Sequence, residues 1–213
     1  MAVTDGLRAS LRGVAPPTSG RLDESAFLLA GATAGLLGWG GTQVLAWVDV
    51  PSSALAATVL WAVLVVGFAS LTLLHGPDAI RFSEAMFAWG TVNPAAMALT
   101  AGGLVGVVPD HLAFWTAWVG AAALGYLWTG GLLVRAGASG RGRAYLAAGG
   151  IALVVLSVGT VAFSLVAPIA FLLLAALHAV PLVLDAKTEL SAAVRGGVLA
   201  AVVCGLVGAG AVA

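Results

Sequence analysis

Charge is what this chain has least of: nine Lys and Arg against nine Asp and Glu in 213 residues, 8% of the sequence. Soluble domains carry about a quarter charged residues, so this chain could not keep a folded surface wet. Its formal net charge is zero, which leaves no basic surface for nucleic acid. Cys204 is the single cysteine; that excludes an internal disulfide and any Cys-x-x-Cys redox or zinc motif. His75, His111 and His178 lie in three separate segments with no i,i+4 pair, so they do not read as a metal site. Nothing in the sequence calls for a cofactor. Lys187 is the sole lysine, and every other cation is arginine.

What is plentiful is apolar. Hydrophobic residues make up 61%, and the mean hydropathy is +1.08. The expected solvent is a lipid bilayer, and the expected fold is all-α, a polytopic integral membrane protein built as a bundle of seven transmembrane helices. Apolar stretches run over 25–48, 53–75, 84–108, 112–134, 144–165, 166–184 and 190–212, which suits spans of about 20 residues each and leaves no room for a soluble domain. The fifth and sixth form one run from Tyr145 to Leu184. As a single helix it would be about 60 Å long, roughly twice the hydrocarbon thickness. It is therefore expected to turn back between Ser164 and Pro168, since proline disfavours helix in the residue before it.

Residues 1–24 form a polar start. Leu7, Leu11 and Val14 share a helical face beside Arg8 and Arg12, which suits a short helix on an anionic membrane surface; Pro16-Pro17 and Gly20 suit a frayed segment equally well. The apolar run that follows is too long for the core of a signal peptide.

Arginine and lysine positions give an orientation. Arg8, Arg12 and Arg21 precede the first stretch, Arg81 lies between the second and third, Arg135, Arg141 and Arg143 between the fourth and fifth, and Lys187 and Arg195 flank the start of the seventh. The remaining connections, around Asp49-Val-Pro51, Pro109-Asp110-His111 and 164–168, carry no cation. With seven crossings all nine cations share one side. The positive-inside rule then places this chain in the cell membrane with its N-terminus in the cytoplasm and its C-terminus outside. Trp47, Trp115 and Trp118 are expected near the outer boundary, and Trp39, Trp61 and Trp89 deeper, between helices. Gly31-x-x-x-Gly35 and Gly102-x-x-x-Gly106 would let backbones approach closely, within the chain, with other membrane subunits, or in self-association through glycine-rich faces.

Ionisable side chains inside a bilayer cost a few kcal/mol, so each needs a reason. Glu84 heads the third stretch, with Arg81 three residues earlier on the same face and able to neutralise it. His178 sits inside the sixth stretch, about two turns from Asp185, and His75 ends the second. Together Glu84, Arg81, His75, His178, Asp185 and Asp78 could converge in a cytoplasm-facing polar vestibule. The plainer alternatives are interfacial charges for Arg81, Glu84 and His75, and a hydrogen-bonded core histidine for His178. Asn93-Pro94 is the other informative pair. Pro94 frees the Gly90 carbonyl and is expected to kink the helix, lipid offers that carbonyl no partner, and Asn93 could supply one. Pro168 is the second expected kink. Gln43, Thr72, Thr129, Thr160, Ser157 and Pro181 are weaker candidates for the same lining.

Three short resemblances accompany these residues. Asn93-Pro94-Ala95 resembles the Asn-Pro-Ala of aquaporins, a family that uses two copies where this chain has one. Arg81-Phe82-Ser83-Glu84 at the head of a third helix resembles the Arg-aromatic-x-acid of microbial rhodopsins. That resemblance implies retinal on a lysine in the middle of helix seven, whereas Lys187 stands at the charged start. Ser83-Glu84-x-Met86-Phe87 resembles the Ser-Glu-x-Met-Phe of haem–copper oxidase subunit III, without that family's later histidine-rich motifs.

The leading functional expectation is a small transporter or channel-like protein whose polar path runs past Glu84, Asn93 and His178. The alternative is a non-catalytic subunit or assembly partner of a larger membrane complex. An intramembrane enzyme fits least, because no nucleophile–base pair, metal cluster or paired carboxylates stand at usable spacing.

Overall fold

The computed structural model describes residues 21–48, 52–187 and 191–212, and among these every regular element is helical. The surface helix expected within 1–24 falls almost wholly outside them. Seven long helices follow one another: α1 (Glu24–Trp47), α2 (Ser53–His75), α3 (Glu84–Leu104), α4 (Ala117–Arg135), α5 (Ser139–Val161), α6 (Ala170–Ala186) and α7 (Ala192–Val212). A single turn, Asp78–Arg81, bridges α2 and α3, and a π-helical turn, His111–Thr116, leads into α4.

Local chemistry sets the ends. Asp23 caps α1 by accepting from Ala26 N at 2.7 Å, and Ser83 caps α3 by accepting from Met86 N at 3.1 Å, each satisfying one of the orphan donors of a first turn. Gly106, at φ +75°, closes α3 in the left-handed region that glycine enters without steric cost. α5 begins at Ser139, five residues before its apolar run, because Arg141 finds carboxylate partners within the bundle.

The forty-residue apolar run does break, but at Ala162 (φ −139°, ψ 58°), ahead of the expected Ser164–Pro168, and Ala167, the residue before Pro168, is itself in the helical region. α5 stops at Val161, one turn covers Phe163–Val166, a 3-10 turn covers Ala167–Ile169, and α6 starts at Ala170. A reversal exposes backbone groups that lipid cannot satisfy. Here buried Gln43 of α1 meets them: its amide donates to Pro168 O at 3.2 Å and accepts from Phe171 N at 3.1 Å. Trp47 Nε1 adds a second donor to Pro168 O at 3.1 Å. Pro94, by contrast, leaves α3 continuous as a helix.

Four segments are long and apolar enough to cross a membrane: Ser53–His75, His111–Arg135, Ser139–Val161 and Phe163–Ala186. The expected seven crossings thus meet that measure in four. α1 is diluted by Gly38-Trp39-Gly40-Gly41-Thr42-Gln43, and α3 by Glu84, Trp89, Asn93 and Pro94.

The centre is α4, α5 and α6, where Val119, Tyr126, Leu173 and Leu177 are fully buried. α4 and α5 approach closest. A Cβ on Gly130 would stand 2.7 Å from Leu146 N, and one on Gly149 2.7 Å from Leu127 Cγ; small residues drive helix association in lipid by permitting such approach. α1 lies against α6, α7 against α5 and α6, and α3 against α4. α2 leans on α1 alone among the long helices it packs well with, and Thr72 is its one buried residue.

Of the two glycine spacings read from the sequence, Gly31-x-x-x-Gly35 is used in helix packing inside the chain, whereas Gly106 of the second meets nothing within 4 Å. Gly31 packs on Phe68 and Leu182, and Gly35 on the His178 ring. Gly102 meets Val108 of its own turn, and Gly103 meets Ala113. Trp115 is buried between helices: Gly159 opens a slot in α5 that the indole fills, and its Nε1 has no hydrogen-bond partner among the described residues.

Candidate functional site

One end of the bundle gathers the ionic groups. Asp185, at the last turn of α6, is 2% exposed. Its Oδ1 accepts from Arg141 Nε at 2.7 Å and from Arg195 at 3.3 Å, and its Oδ2 accepts from Arg141 at 2.7 Å and from the Tyr145 hydroxyl at 2.8 Å. Arg141 also grips Glu24 at the start of α1, and Arg195 donates to Lys187 O at 3.1 Å. Two carboxylates and two guanidiniums therefore tie α1, α5, α6 and α7 in a neutral cluster. A buried carboxylate is tolerable only when paired and fully hydrogen-bonded, and Asp185 is both. The void beside it, bounded by Tyr145, Pro181, Asp185 and Arg195, holds about 10 Å³, scarcely the space of one water.

The α2–α3 connection forms a second, exposed cluster. Arg21 pairs with Asp78, and Arg81 reaches Asp78 at 2.6 Å and the Leu73 carbonyl at 2.7 Å. Arg81 thus caps the end of α2 and stacks its guanidinium 4.6 Å from the Phe82 ring centroid. The Arg21 hydrogen bond, with Arg81 beside it, holds the Asp78 carboxyl below the usual carboxylate range. Leu22 N donates to His75 O at 2.9 Å, so the start of α1 and the end of α2 are stitched together.

Several sequence expectations are corrected by this geometry. Arg81 pairs backward with Asp78 and not with Glu84, because the turn Asp78–Arg81 brings that carboxylate to it. Glu84 is exposed at the head of α3 and makes no hydrogen bond or ion pair among the described residues. Asn93 is half-buried and its amide meets no partner there, so it does not cap the Gly90 carbonyl. His178 is wedged against α1: a Cβ on Gly35 would stand 2.3 Å from its Cδ2, and the Trp89 ring lies 6.2 Å away. Its carbonyl accepts from the Tyr126 hydroxyl at 2.9 Å, next to the Leu177 carbonyl from which Pro181 withholds a donor. Of the residues expected in the vestibule, Asp185 lines one described cavity while Glu84, Arg81, His75, Asp78 and His178 line neither, and nor does Asn93 of the expected polar path.

Four members of the Asp185 cluster were not singled out as site residues from the sequence: Glu24, Arg141, Tyr145 and Arg195. A signal existed. The chain has two tyrosines, Tyr145 follows Arg141 by one helical turn, and both tyrosines end up buried and stacked 5.7 Å apart.

The opposite end holds a different feature, a cavity of about 320 Å³ between α2 and α3, floored by Trp39, Trp61, Trp118 and Phe171. Its wall is almost entirely apolar. Among the described residues no cluster of three or more His, Cys, Asp or Glu could hold a metal ion. What fold and site define is an all-helical chain with four helices able to cross a membrane, locked by ion pairs at one end and hollow at the other. No protein-family model, no curated protein and no solved structure matches it.

Proposed function

We propose that this chain is a non-catalytic multi-pass membrane protein that serves as an assembly partner in a larger membrane complex, with α2 as the helix it offers. The observation that carries this reading is the condition of α2. Leu55, Val59, Val63, Val66, Leu73 and Leu74 all point outward, and Gly67 opens to empty space. The ionic interior adds support, since Asp185 spends its hydrogen-bonding capacity within the chain and leaves a solute nothing to follow.

Gly67 also gives the test. A leucine there meets nothing in the isolated chain, but it would hold off a helix packed closely on α2. In gently solubilised membranes the wild type is expected to run as a complex heavier than the single chain. Gly67→Leu should run as the single chain, and Gly197→Leu, equally open on α7, should keep the complex. Wild type running alone would remove the proposal. Transport remains as a second reading on one observation, the unpartnered Asn93 amide beside Pro94. Solute flux in proteoliposomes that Asn93→Leu abolishes would select it.

A further inference from the structure

The cavity between α2 and α3 has a shape and a chemistry that name an occupant. It starts at Ser53, the first residue of α2, and ends on the rings of Trp39 and Trp61. Eight residues of helix separate Ser53 from Trp61, about 12 Å of rise. That is close to one leaflet of a hydrocarbon core roughly 30 Å thick. The volume, about 320 Å³, lies at the small end of ligand pockets, room for one chain and not for a helix.

The wall is finished chemically. Trp61 Nε1 donates to Thr42 Oγ1 at 3.2 Å, and Trp118 Nε1 to Thr100 Oγ1 at 2.8 Å. The hydroxyls of Thr42, Thr58 and Thr100 donate in turn to the carbonyls of Gly38, Ala54 and Ala96. Trp39 is boxed by the rings of Trp61, Trp118 and Phe171 at centroid distances of 4.5, 5.0 and 6.1 Å. A polar ligand would lose its hydration and recover few bonds, whereas a saturated chain loses nothing. The opening is sideways: Ala54 and Thr58 of α2 and Met97, Ala101 and Leu104 of α3 are exposed along it. In a chain read as membrane-spanning, that mouth faces lipid.

We propose that this cavity is a binding slot for one acyl chain of a bilayer lipid, entered between α2 and α3 with the chain end against the Trp39–Trp61 floor. The proposal does not depend on the assembly role. A lipid would occupy the inward wall of α2, while a partner helix would meet its outward face at Val63 and Gly67.

The experiment uses the full chain in phosphatidylcholine vesicles containing a phospholipid with a photoactivatable diazirine near the end of one acyl chain. After illumination, labelled peptides are mapped by mass spectrometry. Label is expected around Trp61 and Met97, and it should move toward Ser53 when the diazirine sits near the ester. Ala57→Trp, which fills the cavity, should abolish this label while leaving label on outward Val63 unchanged. Ala101→Trp fills it from the other wall and serves if Ala57→Trp loses its helical circular dichroism. Cavity label that persists in a folded, filled variant would overturn the proposal. So would label confined to outward positions of the wild type, or a cavity wall protected from lipid by a second protein.

Discussion

At the scale of single residues, Asp185 carries more of the architecture than any other polar group. It is buried, accepts four hydrogen bonds and balances Arg141 and Arg195 across three helices. Removing one partner of a buried ionic cluster typically costs about 3–5 kcal/mol, because the charges left behind stay desolvated and unpaired. Asp185→Leu takes the buried carboxylate from Arg141, Arg195 and the Tyr145 hydroxyl at once, leaving Arg141 its pair with Glu24 and Arg195 the Lys187 carbonyl. Its thermal midpoint in detergent should fall well below that of the wild type. Arg143→Leu removes an exposed cation of the same helix turn and should barely move it. Equal midpoints for Asp185→Leu and wild type would show that the cluster does not hold the helices together.

Among elements, the reversal between α5 and α6 depends on a side chain far away in sequence. Gln43 satisfies both the Pro168 carbonyl and the Phe171 N–H. Leaving a buried backbone donor or acceptor unmet costs about 1–3 kcal/mol. Gln43→Leu is therefore expected to lower the thermal midpoint, and Gln43→Glu, which keeps an acceptor for Phe171 N but buries an unpaired carboxyl against the Pro168 carbonyl, should lower it too. A Leu variant as stable as wild type would mean that the turn holds its own ends. The same elements show what a sequence can and cannot disclose in this class of protein. Helix positions were legible where an apolar run ends at proline, glycine or charge: Ser53–His75 came out unshifted, whereas the break expected at Ser164–Pro168 fell at Ala162, inside an unmarked apolar stretch. Which face of a helix turns inward was not legible. A helix bathed in lipid is apolar all round, so pattern cannot separate the His178 wedge from a pore-lining histidine. Small residues such as Gly35 and Gly159 decide it, and in a glycine-rich chain they do not stand out. The cluster partners of Asp185 were hidden for a related reason: an arginine near a helix start reads equally as an interfacial charge or as a buried ligand of a distant carboxylate.

For the whole molecule, the distribution of charge between its two ends carries the orientation. Arg21, Arg81, Arg135, Arg141, Arg143, Lys187 and Arg195 all lie at the ends of helices, or in the loops, gathered around the Asp185 and Asp78 clusters. The connection before α4 carries Asp110 and His111 and no cation. Lys and Arg in short loops are retained on the cytoplasmic side, so we propose that the clustered end faces the cytoplasm. Segment His111–Arg135, one of the four able to cross, separates Asp110 from Ala138, and the two positions should lie in different compartments. In a Cys204→Ser background, Asp110→Cys is expected to react with a membrane-impermeant maleimide on intact cells, and Ala138→Cys only after lysis. Reversed labelling would invert the proposed orientation and leave the arginine bias without a topological cause. Labelling of both from one side would mean that α4 does not cross, and the core pairing of α4 with α5 would then have to be read as a soluble packing arrangement instead of a bilayer one.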